Sequence, residues 1–123
     1  MGEVINMRYK QNLSLRRGIR LDPALRTVRL YRHNYHLTQQ EFLLFDQLLQ
    51  SALTAADTGA PVPALSRDEL LCGAWGSATG YETRTVDVHV QRLRAKMGSD
   101  LITTVYRKGY CINPTALGRF ALR

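Results

Sequence analysis

From Leu13 to Leu37 the apolar residues Leu13, Leu15, Ile19, Leu21, Val28, Leu30, Tyr35 and Leu37 alternate with polar ones, several of them arginine. A period of two predicts strands with one apolar face. Turn signals at Arg17-Gly18, Asp22-Pro23 and His33-Asn34 divide the stretch into three or four expected short antiparallel strands. Residues 1–12 show no clear period and read as a leader.

At Leu37 the period changes. Thr38 with Glu41 three residues on fits a capping box, in which the hydroxyl accepts a backbone N–H and the carboxylate reaches back. Phe42, Phe45, Leu48, Leu49 and Leu53 then follow helical spacing, and the helix is expected to stop before Asp57-Thr58-Gly59-Ala60-Pro61. Ser66 with Glu69 makes a second capping box, opening a short helix whose apolar side is Leu70, Leu71 and Trp75. Gly76 to Gly80 reads as a loop. A third helix runs from Thr83 to about Met97 and is stopped by Gly98-Ser99-Asp100. Leu101–Val105 and Gly109–Ile112 read as a β-hairpin turning at Tyr106, Arg107, Lys108 and Gly109. Pro114 ends the last strand. The expected organisation is one domain over residues 13–113, with a tail over 114–123.

The third helix carries the most chemistry. At 100° per residue, Val86, Val90, Leu93 and Met97 share a narrow sector, which predicts a core stripe. Arg84, Val88, Gln91, Arg92 and Ala95 fall opposite, and Thr85, His89, Arg94 and Lys96 lie on the flanks. Arginine forks onto guanine, glutamine onto adenine, and a small apolar side chain meets the thymine methyl. The flanking cations and hydroxyl suit phosphate oxygens. Arg107 and Lys108 at the hairpin turn add a second basic point.

Charge is distributed to match. Residues 1–37 carry eight Lys/Arg against two Asp/Glu, residues 38–80 one against five, and residues 81–123 eight against three, for a net +7. A basic–acidic–basic chain suggests one surface for a polyanion and another turned elsewhere. Cys72 and Cys111 are expected to be reduced and half-buried rather than disulfide-bonded. No Gly-rich phosphate loop or carboxylate pair forms a motif, and His33 and His36 lack partners at zinc-ligand spacing, so neither catalysis, a metal nor a cofactor is expected.

The block Arg84-Thr85-Val86-Asp87-Val88-His89-Val90, followed by Arg92-Leu93-Arg94 and Lys96, resembles the recognition-helix signature of the OmpR/PhoB effector domains. Leu37-Thr38 with Glu41, Trp75 nine residues before Arg84, and Ile102, Thr104, Val105, Gly109 and Tyr110 resemble other blocks of that family in the same order. The resemblance implies an α+β winged helix-turn-helix: an N-terminal antiparallel four-stranded sheet, three helices and a C-terminal hairpin wing. It implies sequence-specific binding of double-stranded DNA by a transcriptional regulator, with the third helix in the major groove and the wing at the minor groove. Trp75, Arg84, Thr85, His89, Arg94 and Tyr110 fall on family phosphate-contact positions, and Val88 and Arg92 on base-contact positions.

The sequence departs from that pattern at Gln91, expected to read a base, and at Tyr106-Arg107-Lys108. There Arg107 takes the expected base contact, while Lys96 and Lys108 join the phosphate set. The resemblance further implies contact of the 76–82 loop with RNA polymerase, head-to-tail pairing of two copies on direct repeats, and a bacterial cytoplasmic location on the nucleoid. The leading residues are too few for the phosphoacceptor receiver that usually precedes such domains, so an orphan regulator or an excised effector domain is expected. A different class of function, a winged helix docking proteins through its acidic face at residues 38–80, is the competing expectation.

Overall fold

The computed structural model describes residues 18–76 and 80–122. Strands β1 (Ile19–Asp22), β2 (Thr27–Leu30) and β3 (His33–His36) form an antiparallel sheet in that order. Ile19, Val28 and Leu30 turn inward to the core, as the alternation requires. The sheet has three strands among the described residues, not the expected four; the remaining strand, read at Leu13 and Leu15, lies outside them. The second turn also differs. Leu30 pairs with His33, so the two-residue loop is Tyr31-Arg32, while His33 and Asn34 belong to β3. Tyr31 takes the left-handed conformation, with φ 59, that such a loop demands. Its ring lies over Gly18, where an added Cβ would come within 2.0 Å of it.

Helix α1 (Gln39–Thr58) is the central element, with the Thr38–Glu41 capping box in place. It runs through Asp57-Thr58, further than expected. The Thr58 hydroxyl donates to Ala55 O at 3.1 Å, and Gly59 ends the helix at φ 71. Its apolar side supplies Phe42, Leu44, Phe45, Leu48, Leu49 and Leu53, all buried. Helix α2 (Arg67–Trp75) begins with the Ser66–Glu69 capping box, and helix α3 (Arg84–Met97) follows. Strands β4 (Ile102–Val105) and β5 (Gly109–Ile112) form the C-terminal hairpin.

The hairpin is anchored from behind. Leu65, just before α2, exchanges both backbone hydrogen bonds with Tyr110, at 2.8 and 3.0 Å. That approach explains Gly109: a Cβ there would lie 1.9 Å from Leu65 O, and its φ is 146.

Residues 114–122 of the expected tail form regular structure. Asn113 caps helix α4 (Pro114–Arg119) by accepting the N–H groups of Thr115 and Ala116, and a 3-10 turn follows at Phe120–Leu122. Ala116, Leu117 and Phe120 enter the core, and Phe120 meets the rings of His33 and Tyr35 edge-on. Pro114 therefore ends a strand and opens a helix, as a proline at a first helical position does. Both cysteines are free; Cys111 is half-buried, but Cys72 is exposed rather than half-buried. No helix among the described residues is long and apolar enough to cross a membrane.

Candidate nucleic-acid interface

Helix α3 is held down by the stripe its spacing predicts. Val86, Val90 and Leu93 are fully buried and Met97 nearly so. Burial of this kind stabilises by about 1.5–3 kcal/mol per large side chain, enough to fix the helix's rotation. The opposite face is then set: Arg84, Val88, Gln91, Arg92 and Ala95 are exposed. Val88 is 48% exposed in the middle of a cationic surface. Among the described residues neither Arg84 nor Arg92 forms a salt bridge. The helix starts at Thr83 without a side-chain cap, so its N-terminal end favours an anion.

The flanking residues are braced. The Trp75 ring, at the end of α2, meets the His89 ring edge-on at 4.8 Å, and His89 Nδ1 lies 2.9 Å from Thr85 O. Trp75, Thr85 and His89 thus form one half-buried edge beside Arg84. On the other edge, Arg94 donates from Nε and Nη2 to Ile102 O at 3.1 and 2.7 Å, and from Nη2 to Thr104 Oγ1 at 2.9 Å. Arg94 therefore ties α3 to the hairpin.

Lys96 is engaged elsewhere. Its Nζ lies 2.6 Å from Glu41 Oε1, a carboxylate only 1% exposed. Burial pushes the Glu41 carboxyl up, but hydrogen bonds from Lys96 and the Thr38 backbone outweigh it and leave its pKa below the usual value.

A further cluster escaped the reading of the sequence. Arg67, in the first turn of α2, donates from Nε to Asp87 Oδ1 on α3 at 2.7 Å. The Tyr110 hydroxyl on β5 donates to the same oxygen at 2.5 Å. Three elements thus meet at one carboxylate. The guanidinium carbons of Arg67 and Arg94 lie 5.0 and 5.6 Å from the Tyr110 ring centroid. Burial raises the Asp87 pKa, but the bonds from Tyr110 and Arg67 outweigh it, and the carboxyl stays ionised below the ordinary aspartate range. Burial, then Asp87, push the Tyr110 hydroxyl up, so it remains a neutral donor. The available signal was Asp87 itself, an acid inside a basic helix beside the buried Val86.

At the hairpin turn Tyr106, Arg107 and Lys108 are all exposed. The Arg107 guanidinium carbon lies 5.2 Å from the Tyr106 ring centroid. The loop between α2 and α3 is described at Gly76 and at 80–83; the expected 76–82 contact falls partly on residues 77–79, outside the described residues.

A helix with cationic and small apolar residues outward, followed by a basic hairpin braced to it, suits a nucleic-acid duplex. Residues 32–112 match the family model described as "Transcriptional regulatory protein, C terminal". The chain belongs to this family, the OmpR/PhoB-type winged helices. It is a DNA-binding transcriptional regulator domain, in a family of regulators and not of enzymes.

Transcriptional regulatory protein CseB of Streptomyces coelicolor is 55% identical over 53 residues, covering 43% of this chain and 23% of that protein. The phosphate regulon regulator PhoB of Rhizobium meliloti is 35% identical over 98 residues, covering 76% and 39%. The chain thus spans well under half the length of these curated relatives. Among solved structures, the DNA-binding domain of response regulator AdeR, in complex with an intercistronic region, superposes with a TM-score of 0.60 at 22% identity. That match covers 78% of this chain and 94% of the AdeR domain, and it shows the OmpR/PhoB fold.

Proposed function

We propose that the chain recognises specific duplex sequences with α3 in the major groove and the hairpin wing at the adjacent minor groove. The observation that carries this is the outward face of α3. Val88 stands exposed between Arg84, Gln91 and Arg92, while four residues on the reverse are buried. A solvated basic helix has no use for an exposed valine, whereas a thymine methyl gives it a partner.

In this reading Val88, Gln91, Arg92 and Arg107 contact bases. Trp75, Arg84, Thr85, His89, Arg94 and Lys108 contact phosphates, with Arg67 beside them; Tyr110, 4% exposed with its hydroxyl proton on Asp87, positions these groups rather than meeting a phosphate itself. Lys96, whose ammonium is held by Glu41, stabilises the fold instead. Two copies bind direct repeats head to tail, the loop over 76–82 touches RNA polymerase, and the site of action is the bacterial cytoplasm.

In vitro selection from a random duplex pool tests the reading. A recovered motif containing a direct repeat supports it. A pool that returns no enriched sequence counts against specific recognition.

A further inference from the structure

Tyr106 is 79% exposed at the tip of the wing, the most exposed aromatic residue among those described. An aromatic ring left in water forgoes the burial that makes such a residue useful to a fold. Its neighbour is irregular too. The Lys108 N–H donates to Val105 O at 2.9 Å, closing a four-residue turn with Arg107 in the third position. Arg107 has φ 59, in the left-handed region that this position reserves for glycine or asparagine. The two irregular residues form one unit, since the Arg107 guanidinium stacks on the Tyr106 ring. Strain and an exposed ring side by side point to a binding role rather than a stabilising one.

The unit is also fixed in place. Arg94 binds β4 to α3 through Ile102 O and Thr104 Oγ1, and Leu65 grips β5 through Tyr110. The tip therefore holds a set position relative to α3, with Lys108 adding a second positive charge. A flat ring carrying a guanidinium on its face matches a narrow groove with acceptor edges and strong negative potential, which is the minor groove of A·T-rich DNA.

We propose that Tyr106 is a specificity-determining residue: its ring presents Arg107 to the minor groove and lies against the groove wall, so that the wing selects A·T over G·C. The proposal rests on the reading that α3 occupies the neighbouring major groove.

The test uses the whole chain and the duplex recovered by selection. The duplex is synthesised with A·T, inosine·C or G·C pairs at the steps on the wing side of the α3 footprint. Inosine·C lacks the guanine amino group, so it matches A·T in the minor groove and G·C in the major groove. The wild type is expected to bind the A·T and inosine·C duplexes about tenfold more tightly than the G·C duplex. Tyr106→Ala, with unchanged melting, is expected to bind all three within about twofold, because the ring no longer presents the cation. Tyr106→Phe keeps the ring and is expected to keep the preference.

A Tyr106→Ala variant that retains the tenfold preference overturns the proposal, as does an inosine·C duplex that behaves like G·C. Equal wild-type binding to all three overturns it alone. Wild-type binding to none overturns it together with the major-groove reading.

Discussion

Arg67 and Asp87 form an ion pair at 2.7 Å that fixes the first turn of α2 to the face of α3 turned toward the wing. The Tyr110 hydroxyl completes it, so one carboxylate joins α3 to α2 and to strand β5. Asp87 carries negative charge close to where phosphates are proposed to lie. Arg67 offsets that charge as its ion-pair partner.

Asp87→Asn is expected to loosen this junction. Arg67, no longer paired, becomes freer to meet phosphate, so binding to unrelated duplexes is expected to strengthen while discrimination between the selected and a scrambled site narrows. The salt slope should steepen by about one unit. Titrations of both duplexes at several salt concentrations check this. An unchanged ratio between the sites would show that Asp87 does not govern the reading geometry.

Arg92 and Arg94 are close in sequence but differ in placement. Arg92→Ala is expected to cost about 1–3 kcal/mol at one base position and to relax preference there. Arg94→Ala is expected to weaken all sequences alike and to shallow the salt slope by about one unit. Because Arg94 also bonds Ile102 O and Thr104 Oγ1, its loss should lower stability by about 1 kcal/mol. Thermal melts separate the two effects of Arg94, and a competition series against single-base variants isolates that of Arg92.

The acid limb of stability is expected to depend on Glu41 and Asp87. Both carboxyls have folded pKa values below their unfolded ones. Over that interval the unfolded chain binds more protons, so their contribution is present above the unfolded values, about 4, and fades as pH falls through the folded ones. Glu41→Gln should melt lower at neutral pH, because it leaves Lys96 without its partner, and should lose less stability than the wild type on acidification. Melting curves from neutral pH downward measure the slope. Parallel curves for the two proteins would contradict the role given to Glu41.

Gly109→Ala is expected to destabilise by several kcal/mol, because its Cβ would overlap the Leu65 carbonyl and backbone cannot yield as a side-chain tip would. Denaturant unfolding reads the cost directly.

Helices α1 to α3 and the hairpin were legible because each is written in local terms. The Thr38–Glu41 and Ser66–Glu69 boxes mark helix starts, and the Val86, Val90, Leu93 and Met97 spacing fixes which side of α3 faces outward. The Tyr31-Arg32 turn was not legible, because a tyrosine rarely adopts a positive φ; its ring over Gly18 supplies the context that no local pattern carries. Helix α4 was missed because six residues leave too short a period to read, and its stability comes from packing Ala116 and Leu117. The Arg67–Asp87 pair joins residues 20 apart in sequence and the Lys96–Glu41 pair residues 55 apart, distances over which only the folded chain reveals a partner.

The most direct test of the central claim is fluorescence anisotropy of the selected duplex with the wild-type chain at salt concentrations from about 50 to 200 mM. A protein that sets several cations on phosphates while α3 reads bases should lose a factor of order 10² or more in affinity across that range, and should prefer the selected duplex to a scrambled one throughout. Affinity that is flat in salt, or equal for the two duplexes at every concentration, would contradict it.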